Sequence, residues 1–119
     1  MHIASELGCF DIVTYLVSKG ADIEALEDYN NNTPLIHAAG YGHPLVVKFL
    51  IDNRANINYQ NNYGSTSLHH AVWGNHLDVV KLLIEMNANK SLRNNNGQTP
   101  LDVAKSYNAT SIISYLSSL

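Results

Sequence analysis

Histidine is the residue type in this sequence best placed to do chemistry. The sequence has six histidines, and the spacing of His37 and His70 is the same as that of His43 and His76. Two imidazole nitrogens that bind one zinc ion at about 2.0–2.1 Å lie within about 4 Å of each other. Equivalent side chains on packed helices lie about 8–10 Å apart. If this shared spacing separates helical layers, we expect these histidines to be structural, with no metal and no other cofactor.

The motifs of common enzyme classes are missing from the sequence. Serine, histidine and acidic residues are present, but there is no H-E-x-x-H element, no Gly-rich phosphate loop and no strand-turn-helix nucleophile motif. We therefore expect no catalytic residues and no enzymatic activity.

Charge and hydropathy narrow the range of partners. Seven Lys and Arg against ten Asp and Glu give a net charge of -3, which is unfavourable for binding nucleic acid. No apolar run approaches the roughly 18 residues of a membrane helix, and the first residues lack a signal-peptide pattern. The one cysteine, Cys9, cannot form an internal disulfide. These features predict a cytoplasmic domain that does not interact with membranes, with the nucleus not excluded.

The sequence repeats at an interval of about 33 residues, which fixes the architecture. Thr33, Thr66 and Thr99 mark the interval. Apolar positions follow the same interval, at Leu35, Leu68 and Leu101, at Ala38, Ala71 and Ala104, and at Val13, Val47, Val80 and Ile113. We expect one repeat domain over 1–119, with units at 1–26, 27–59, 60–92 and 93–119.

Each unit has the pattern of two short helices. Thr33 can cap a helix that accepts Pro34 in its first turn, and Gly42 ends this helix before Pro44 opens a second one. Helices below about 12 residues are marginal in water on their own, so each pair must pack on its neighbours. The sequence therefore predicts an all-α solenoid.

The repeats resemble those of the ankyrin family over essentially the whole chain. The elements Thr33-Pro34-Leu35, Thr66-Ser67-Leu68-His69 and Thr99-Pro100-Leu101 are similar to the family's T-P-L-H element, and Gly20-Ala21-Asp22-Ile23 is similar to the G-A-D-V that follows its second helix. The resemblance implies helix-turn-helix layers joined by β-hairpin loops, and a concave face of hairpin tips and first helices that binds other macromolecules. It also implies that Asn58 is a candidate for asparaginyl hydroxylation.

Two departures from the family pattern have structural consequences. Ile36 and Asp102 replace the histidine that His69 provides, so we expect its hydrogen bonds between repeats only in the third unit. Arg54 and Asn87 occupy a position after the second helix that usually needs a left-handed backbone.

The two ends of the array differ. The outer face of the last helix is rich in serine and predicts a C-terminal cap, whereas the first unit lacks its hairpin and threonine and should expose apolar surface. We expect this chain to be part of a longer array, or to self-associate through that uncapped end. The second-helix aromatics Phe10, Tyr15, Phe49 and Tyr115 are expected in the core or cap.

Family register predicts the residues that line the concave face for a protein partner. They are Tyr29, Asn30, Asn32, Tyr41, Asn62, Tyr63, Ser65, Trp73, Asn95, Gln98 and Tyr107. Tyr and Trp among Asn and Ser are typical of protein-binding surfaces. The alternatives are that the aromatics stack as a structural ridge, that the asparagines only fill turns, and that the domain is a spacer with no ligand. An acidic end formed by Asp22, Glu24, Glu27 and Asp28 is a candidate for receiving Lys or Arg from the partner.

Overall fold

The computed structural model describes residues 1–26 and 29–119, and its regular secondary structure in these ranges is helical. The helices follow one another in four pairs. They are α1 (His2–Glu6), α2 (Phe10–Ser18), α3 (Pro34–Gly40), α4 (Pro44–Asp52), α5 (Ser67–Trp73), α6 (Leu77–Glu85), α7 (Pro100–Ser106) and α8 (Thr110–Ser117).

The helix pairs stack as layers of a solenoid. The first helices α1, α3, α5 and α7 pack on one another in that order, and the second helices α2, α4, α6 and α8 do the same. The stack measures 40 × 25 × 21 Å. Each of the four units expected from the repeat contains one helix pair. The predicted all-α fold is confirmed.

The repeated apolar positions form the core between layers. Val13, Val47 and Val80 are completely buried, and Leu50 and Leu83 are equally inaccessible. Phe49 and Tyr115 are half-buried against this core, as expected. Phe10 and Tyr15 are exposed and lie outside the core, and the Phe10 ring packs edge-on against Phe49. They belong to the first layer, and in the described residues no layer packs on its outer side.

A threonine caps the first helix of each of the last three layers. The Thr33 Oγ1 accepts the Ile36 N–H at 3.3 Å. Thr66 and Thr99 go further and form reciprocal capping boxes with His69 and Asp102, respectively. These caps satisfy helix N–H groups that would otherwise lack a partner, which allows seven-residue helices to start sharply.

Left-handed backbone occurs at the ends of both kinds of helix. Gly42 ends the first helix of its layer with a φ of +78°, and a Cβ there would lie 2.6 Å from the His76 Nδ1. After the second helices, Arg54 and Asn87 have φ values of +75° and +69°. This confirms the conformation that the sequence predicted at Arg54, where a side chain adds strain.

The loops between layers turn back on themselves without forming regular strands in the described residues. The Asn61 N–H donates to the Ser65 carbonyl at 3.0 Å, and the Asn94 N–H donates to the Gln98 carbonyl at 2.9 Å. The expected β-hairpins are thus reduced to single tight turns, whose tips lie beside the ends of the first helices.

Candidate functional site

Exposed aromatic side chains lie along the loop tips and the C-terminal ends of the first helices. Tyr41 and Tyr107 follow α3 and α7, and Trp73 is the last residue of α5. Tyr29 and Tyr63 lie in the preceding loops. The exposed fractions of the five side chains are 91% for Tyr29, 55% for Tyr41, 60% for Tyr63, 38% for Trp73 and 63% for Tyr107. The five predicted aromatics are therefore all available to a partner.

A concave pocket of about 400 Å³ lies between the second and third layers. Its lining includes the aromatic residues Tyr41 and Trp73 and the glycines Gly40 and Gly74. Its remaining lining residues are Asn30, Asn32, Ile36, His37 and His70. The pocket is open to solvent, and its lining includes the polar side chains of Asn30, Asn32, His37 and His70.

Hydrogen bonds around Asn61 determine which ring nitrogen of His70, a lining residue of this pocket, carries the proton. The Asn61 Oδ1 accepts the N–H groups of Tyr63 and Ser65 at 2.9 and 3.0 Å, so the Asn61 amide nitrogen must face the other way. There it lies 3.4 Å from the His70 Nε2. Because an amide nitrogen only donates, Nε2 is the acceptor and Nδ1 carries the proton.

The pKa of His70 is consistent with this neutral tautomer. Burial, assisted by the neighbouring His69 and His37, lowers the pKa of His70 from 6.5 to about 4. The ring also meets the Trp73 ring edge-on at 5.2 Å between centroids. At physiological pH His70 is therefore neutral, and its ring packs edge-on against the Trp73 ring.

Two histidines link successive layers by contacting the backbone carbonyl of the residue before the capping threonine. The His69 Nε2 donates to the Gln98 carbonyl at 2.9 Å. The His2 Nε2 lies 3.0 Å from the equivalent carbonyl of Asn32. The expectation that this link exists only in the third unit was wrong, since His2 provides it in the first. Burial lowers the pKa of His69, with the hydrogen bond to Gln98 acting against the shift.

His43 and His76 form a second set of links between layers. The His43 Nε2 donates to the Glu6 carbonyl at 2.6 Å, and the His76 Nε2 donates to the Gly40 carbonyl at 3.1 Å. Both acceptors end the first helix of the preceding layer. These histidines have structural roles, and no group of three His, Cys, Asp or Glu residues within 1–26 and 29–119 could hold a metal ion.

The predicted asparagines mainly connect loop tips to each other. The Asn62 amide nitrogen donates to the Tyr29 carbonyl at 2.7 Å, and that of Asn95 donates to the Asn62 carbonyl at 2.8 Å. Backbone hydrogen bonds join the same tips: the Asn62 N–H donates to the Asn30 carbonyl, and the Asn95 N–H donates to the Tyr63 carbonyl. These hydrogen bonds between loop tips hold in place the backbone that carries Tyr29 and Tyr63.

Two predicted contact residues are buried. Ser65 is completely buried, because its loop turns inward before the threonine cap. Asn32 is also buried, where its Oδ1 accepts the Asn61 amide at 2.8 Å. Gln98 is half-buried, and its carbonyl is occupied by His69. Ser65 is therefore removed from the set of direct contacts, whereas Asn32 still lines the pocket between the second and third layers.

Sequence reasoning missed Asn61 and Asn94, which fold the loop tips. The Asn94 Oδ1 accepts the N–H groups of Asn96 and Gln98 at 3.0 Å each, as Asn61 does for its own loop. These two buried asparagines stand one full repeat apart, at the same spacing as Thr66 and Thr99, and this was the available signal.

Of the predicted acidic end, Glu27 and Asp28 lie outside the described residues. The Asp22 Oδ1 accepts the Glu24 N–H at 2.9 Å, and both Glu24 carboxylate oxygens lie 3.2 Å from the Asn56 backbone nitrogen. These two carboxylates support the neighbouring loop. The exposed Asn58 has a similar role, because its Oδ1 accepts the Asn89 N–H at 2.8 Å.

Helices in the described part of the chain are too short to cross a membrane. The longest, α2, α4 and α6, have nine residues each.

Known proteins resemble this chain through the same repeat. A 67-residue segment is 36% identical to the B-cell lymphoma 3 protein homolog of mouse, covering 56% of this chain and 15% of that protein. A 60-residue segment is 38% identical to the NF-kappa-B inhibitor cactus of Drosophila melanogaster, covering 50% of this chain and 12% of that protein. A 67-residue segment is 37% identical to mouse protein phosphatase 1 regulatory subunit 12A, covering 56% of this chain and 6% of that protein.

The family assignment does not depend on these partial alignments. The profile described as ankyrin repeats (3 copies) matches residues 1–94. Together with the stacked helix pairs and their threonine caps, this match establishes that the chain belongs to the ankyrin-repeat family.

Proposed function

We propose that this chain is a protein-protein interaction module that binds a protein partner through its concave face. Ankyrin repeats are generally modules of this kind. Two of the relatives carry names that describe inhibition or regulation of another protein. The contact residues in this proposal are Tyr29, Asn30, Asn32, Tyr41, Asn62, Tyr63, Trp73, Asn95, Gln98 and Tyr107.

One observation carries the proposal: the aromatic side chains are held exposed by a backbone that is already ordered. The side chain of Tyr63 is 60% exposed, while its carbonyl accepts the Asn95 N–H at 2.8 Å. A tyrosine on a fixed backbone loses little conformational entropy on binding, which favours affinity. A ridge serving only the fold would bury these rings against one another.

The pocket between Tyr41 and Trp73 supplies the central contact in this proposal. A partner side chain that enters it meets two aromatic rings and the His70 N–H. Because His70 is neutral at pH 7, an amide or carbonyl group of the partner fits beside it better than a carboxylate. The proposal involves no cofactor and no catalytic step.

We place this function inside the cell. The free thiol of Cys9 is half-buried, and a lone cysteine is typical of proteins from reducing compartments.

Replacing the aromatic contacts tests the proposal. Partners captured from a cell lysate by the wild-type chain and identified by mass spectrometry should be lost with the double variant Tyr63→Ala/Trp73→Ala. Tyr63→Ala alone should weaken binding about tenfold or more if Tyr63 is a hot spot, measured by calorimetry on the identified partner.

The matched control is Tyr15→Ala. Tyr15 is exposed to the same extent as Tyr63, at 60%, but lies on a second helix. This variant should retain the partners that the double variant loses. Equal binding by all three variants would contradict the concave face as the binding site, and capture of no partner by the wild-type chain would favour a spacer role instead.

A further inference from the structure

Gly40 lies in the lining of the pocket between the second and third layers, at a position where the other layers have a side chain. It is the last residue of α3, and the equivalent residues of the other layers are Glu6, Trp73 and Ser106. A side chain at position 40 would begin beside His70, another lining residue, because its Cβ would lie 3.5 Å from the His70 Cβ. Glycine at this position therefore leaves the space beside His70 open.

The fold itself does not require glycine at position 40. The residue belongs to a helix, where glycine lowers stability relative to alanine. The distance of 3.5 Å to His70 is an ordinary van der Waals contact, so a Cβ fits. Gly74 differs, because a Cβ there would lie 2.6 Å from the Gly40 carbonyl oxygen. Packing between layers thus explains Gly74 but not Gly40.

The space beside Gly40 gives access to one ring nitrogen of His70. The His70 Nε2 accepts a hydrogen bond from the Asn61 amide, so Nδ1 carries the proton. Nδ1 lies 3.6 Å from the point that a Cβ on Gly40 would occupy. Residues 1–26 and 29–119 provide no hydrogen-bond acceptor for this N–H group. His70 therefore offers a neutral donor to a ligand in the pocket.

Asn32 brings a second neutral donor to the same pocket. Its Oδ1 accepts the Asn61 amide at 2.8 Å, which identifies the other atom of its carboxamide as the nitrogen. Asn32 is only 7% exposed and lines the pocket, and its amide nitrogen has no acceptor within the described part of the chain. A buried donor that loses water without gaining an acceptor is destabilising. The group that fills the pocket should therefore accept a hydrogen bond.

Charge distinguishes between the possible acceptors. The described residues of the pocket lining include no Lys or Arg. An acidic group is close instead, since the Glu6 Oε2 lies 3.7 Å from the Nδ1 of His37, a lining residue. A carboxylate in the pocket would lose water near another carboxylate, which is unfavourable. The uncharged carbonyl of a side-chain carboxamide avoids this penalty, and Tyr41 and Trp73 offer apolar surface for the methylene groups that carry it.

We propose that Gly40 keeps this pocket open for a glutamine or asparagine side chain of the protein partner, whose carboxamide oxygen accepts hydrogen bonds from the neutral donors of His70 and Asn32. The inference rests on the proposed function. It adds the chemistry of the partner residue and identifies Gly40 as a specificity-determining residue.

Selection of peptides tests this chemistry without a known partner. A library of random peptides displayed on phage is selected on the wild-type chain, and peptides that also bind Tyr63→Ala/Trp73→Ala are discarded. The remaining peptides should share one position that is Gln or Asn. An acidic, basic or apolar residue at the shared position would overturn the inference and leave the proposed function intact. Failure to obtain any peptide that needs the two aromatic residues would count against both.

Substitutions in a selected peptide test the need for the carbonyl. Methionine in place of the shared glutamine, or leucine in place of a shared asparagine, keeps the approximate shape but removes the acceptor. Binding measured by calorimetry should weaken about tenfold or more, because the donors in the pocket lose their partner. Glutamate or aspartate at this position should also weaken binding. Equal affinity of the apolar variant would overturn the inference.

The decisive variant of the chain is Gly40→Leu, which fills the space beside His70. It should bind the selected peptides at least about tenfold more weakly, while its melting temperature should be no lower than that of the wild type. Gly40→Ala adds only the Cβ that the structure accommodates, and should also weaken binding without loss of stability. Ser114→Leu is the matched control, because Ser114 is exposed on the second helix α8, and this variant should bind like the wild type.

Two results would refute the role of Gly40. One is unchanged peptide affinity in both Gly40→Leu and Gly40→Ala. The other is a lower melting temperature of Gly40→Ala, which would show that the fold needs glycine there.

Asn32→Asp tests the second donor. Aspartate keeps an oxygen for the Asn61 amide but replaces the donating nitrogen by an acceptor. Affinity for the selected peptides should fall about tenfold or more, with circular dichroism to verify the fold. Unchanged affinity would overturn the assignment of Asn32 as a donor to the partner.

Discussion

Acidification from pH 7 to pH 5 should destabilise this domain through His70. An imidazole in the unfolded chain has a pKa of about 6.5. Burial lowers the pKa of His70 in the folded chain to about 4. Between these values the unfolded chain binds a proton that the folded chain does not bind. The contribution of His70 is therefore almost fully retained well above its unfolded pKa and is lost as the pH falls toward 4.

The magnitude follows from the two pKa values. At pH 7 His70 changes the free energy of unfolding by only about 0.2 kcal/mol, and at pH 5 by about 2 kcal/mol. The contacts explain why the loss is this large. The protonated ring would place an N–H on Nε2 against the amide nitrogen of Asn61, which also donates.

Urea unfolding followed by circular dichroism at pH 7 and pH 5 measures the effect. His69 contributes a loss of the same sign, because burial lowers its pKa too. The comparison with His70→Gln isolates His70, since Gln keeps an acceptor for Asn61 but does not titrate. The wild type should lose about 2 kcal/mol more than His70→Gln between the two pH values.

Equal losses in the wild type and His70→Gln would refute the reasoning. A wild-type chain that becomes more stable on acidification would show that the sign is wrong. Direct titration of the His70 ring by NMR gives an independent check, because the ring should remain neutral at pH 5.

Two further substitutions test the frame of the solenoid. Arg54→Gly should stabilise the fold by about 1 kcal/mol, because the φ of +75° strains a residue with a Cβ; a lower melting temperature would contradict this. His69→Leu should destabilise the fold by about 2 kcal/mol or more, because the Thr66 N–H and the Gln98 carbonyl lose their partners. Unchanged stability in urea would show that this link between layers is dispensable.

The sequence predicted the helices and their caps well because each position of the repeat occurs several times in the chain. Thr33, Thr66 and Thr99 are the caps that their spacing indicated. The left-handed backbone at Arg54 followed from the position of Gly20 one repeat earlier. Periodic apolar residues indicated the buried side of each helix for the same reason.

Side-chain hydrogen bonds in the loops were harder to predict. His2 stands one repeat before Ile36, but the chain lacks a threonine ahead of it, so the link to Asn32 was missed. The burial of Ser65 depends on how a loop turns, which residue type does not indicate. Asn61 and Asn94 were overlooked because an asparagine that folds a turn and one that faces a partner look alike in sequence.

Different residues in each loop hold the fold and provide the exposed side chain. Asn61 and Asn94 fold each tip from inside, and the amides of Asn62 and Asn95 tie each tip to the previous one. Tyr63 lies between these positions, and none of these hydrogen bonds uses its side chain. If Tyr63 contacts the partner as proposed, exchanging this one side chain would change the partner while leaving these hydrogen bonds in place.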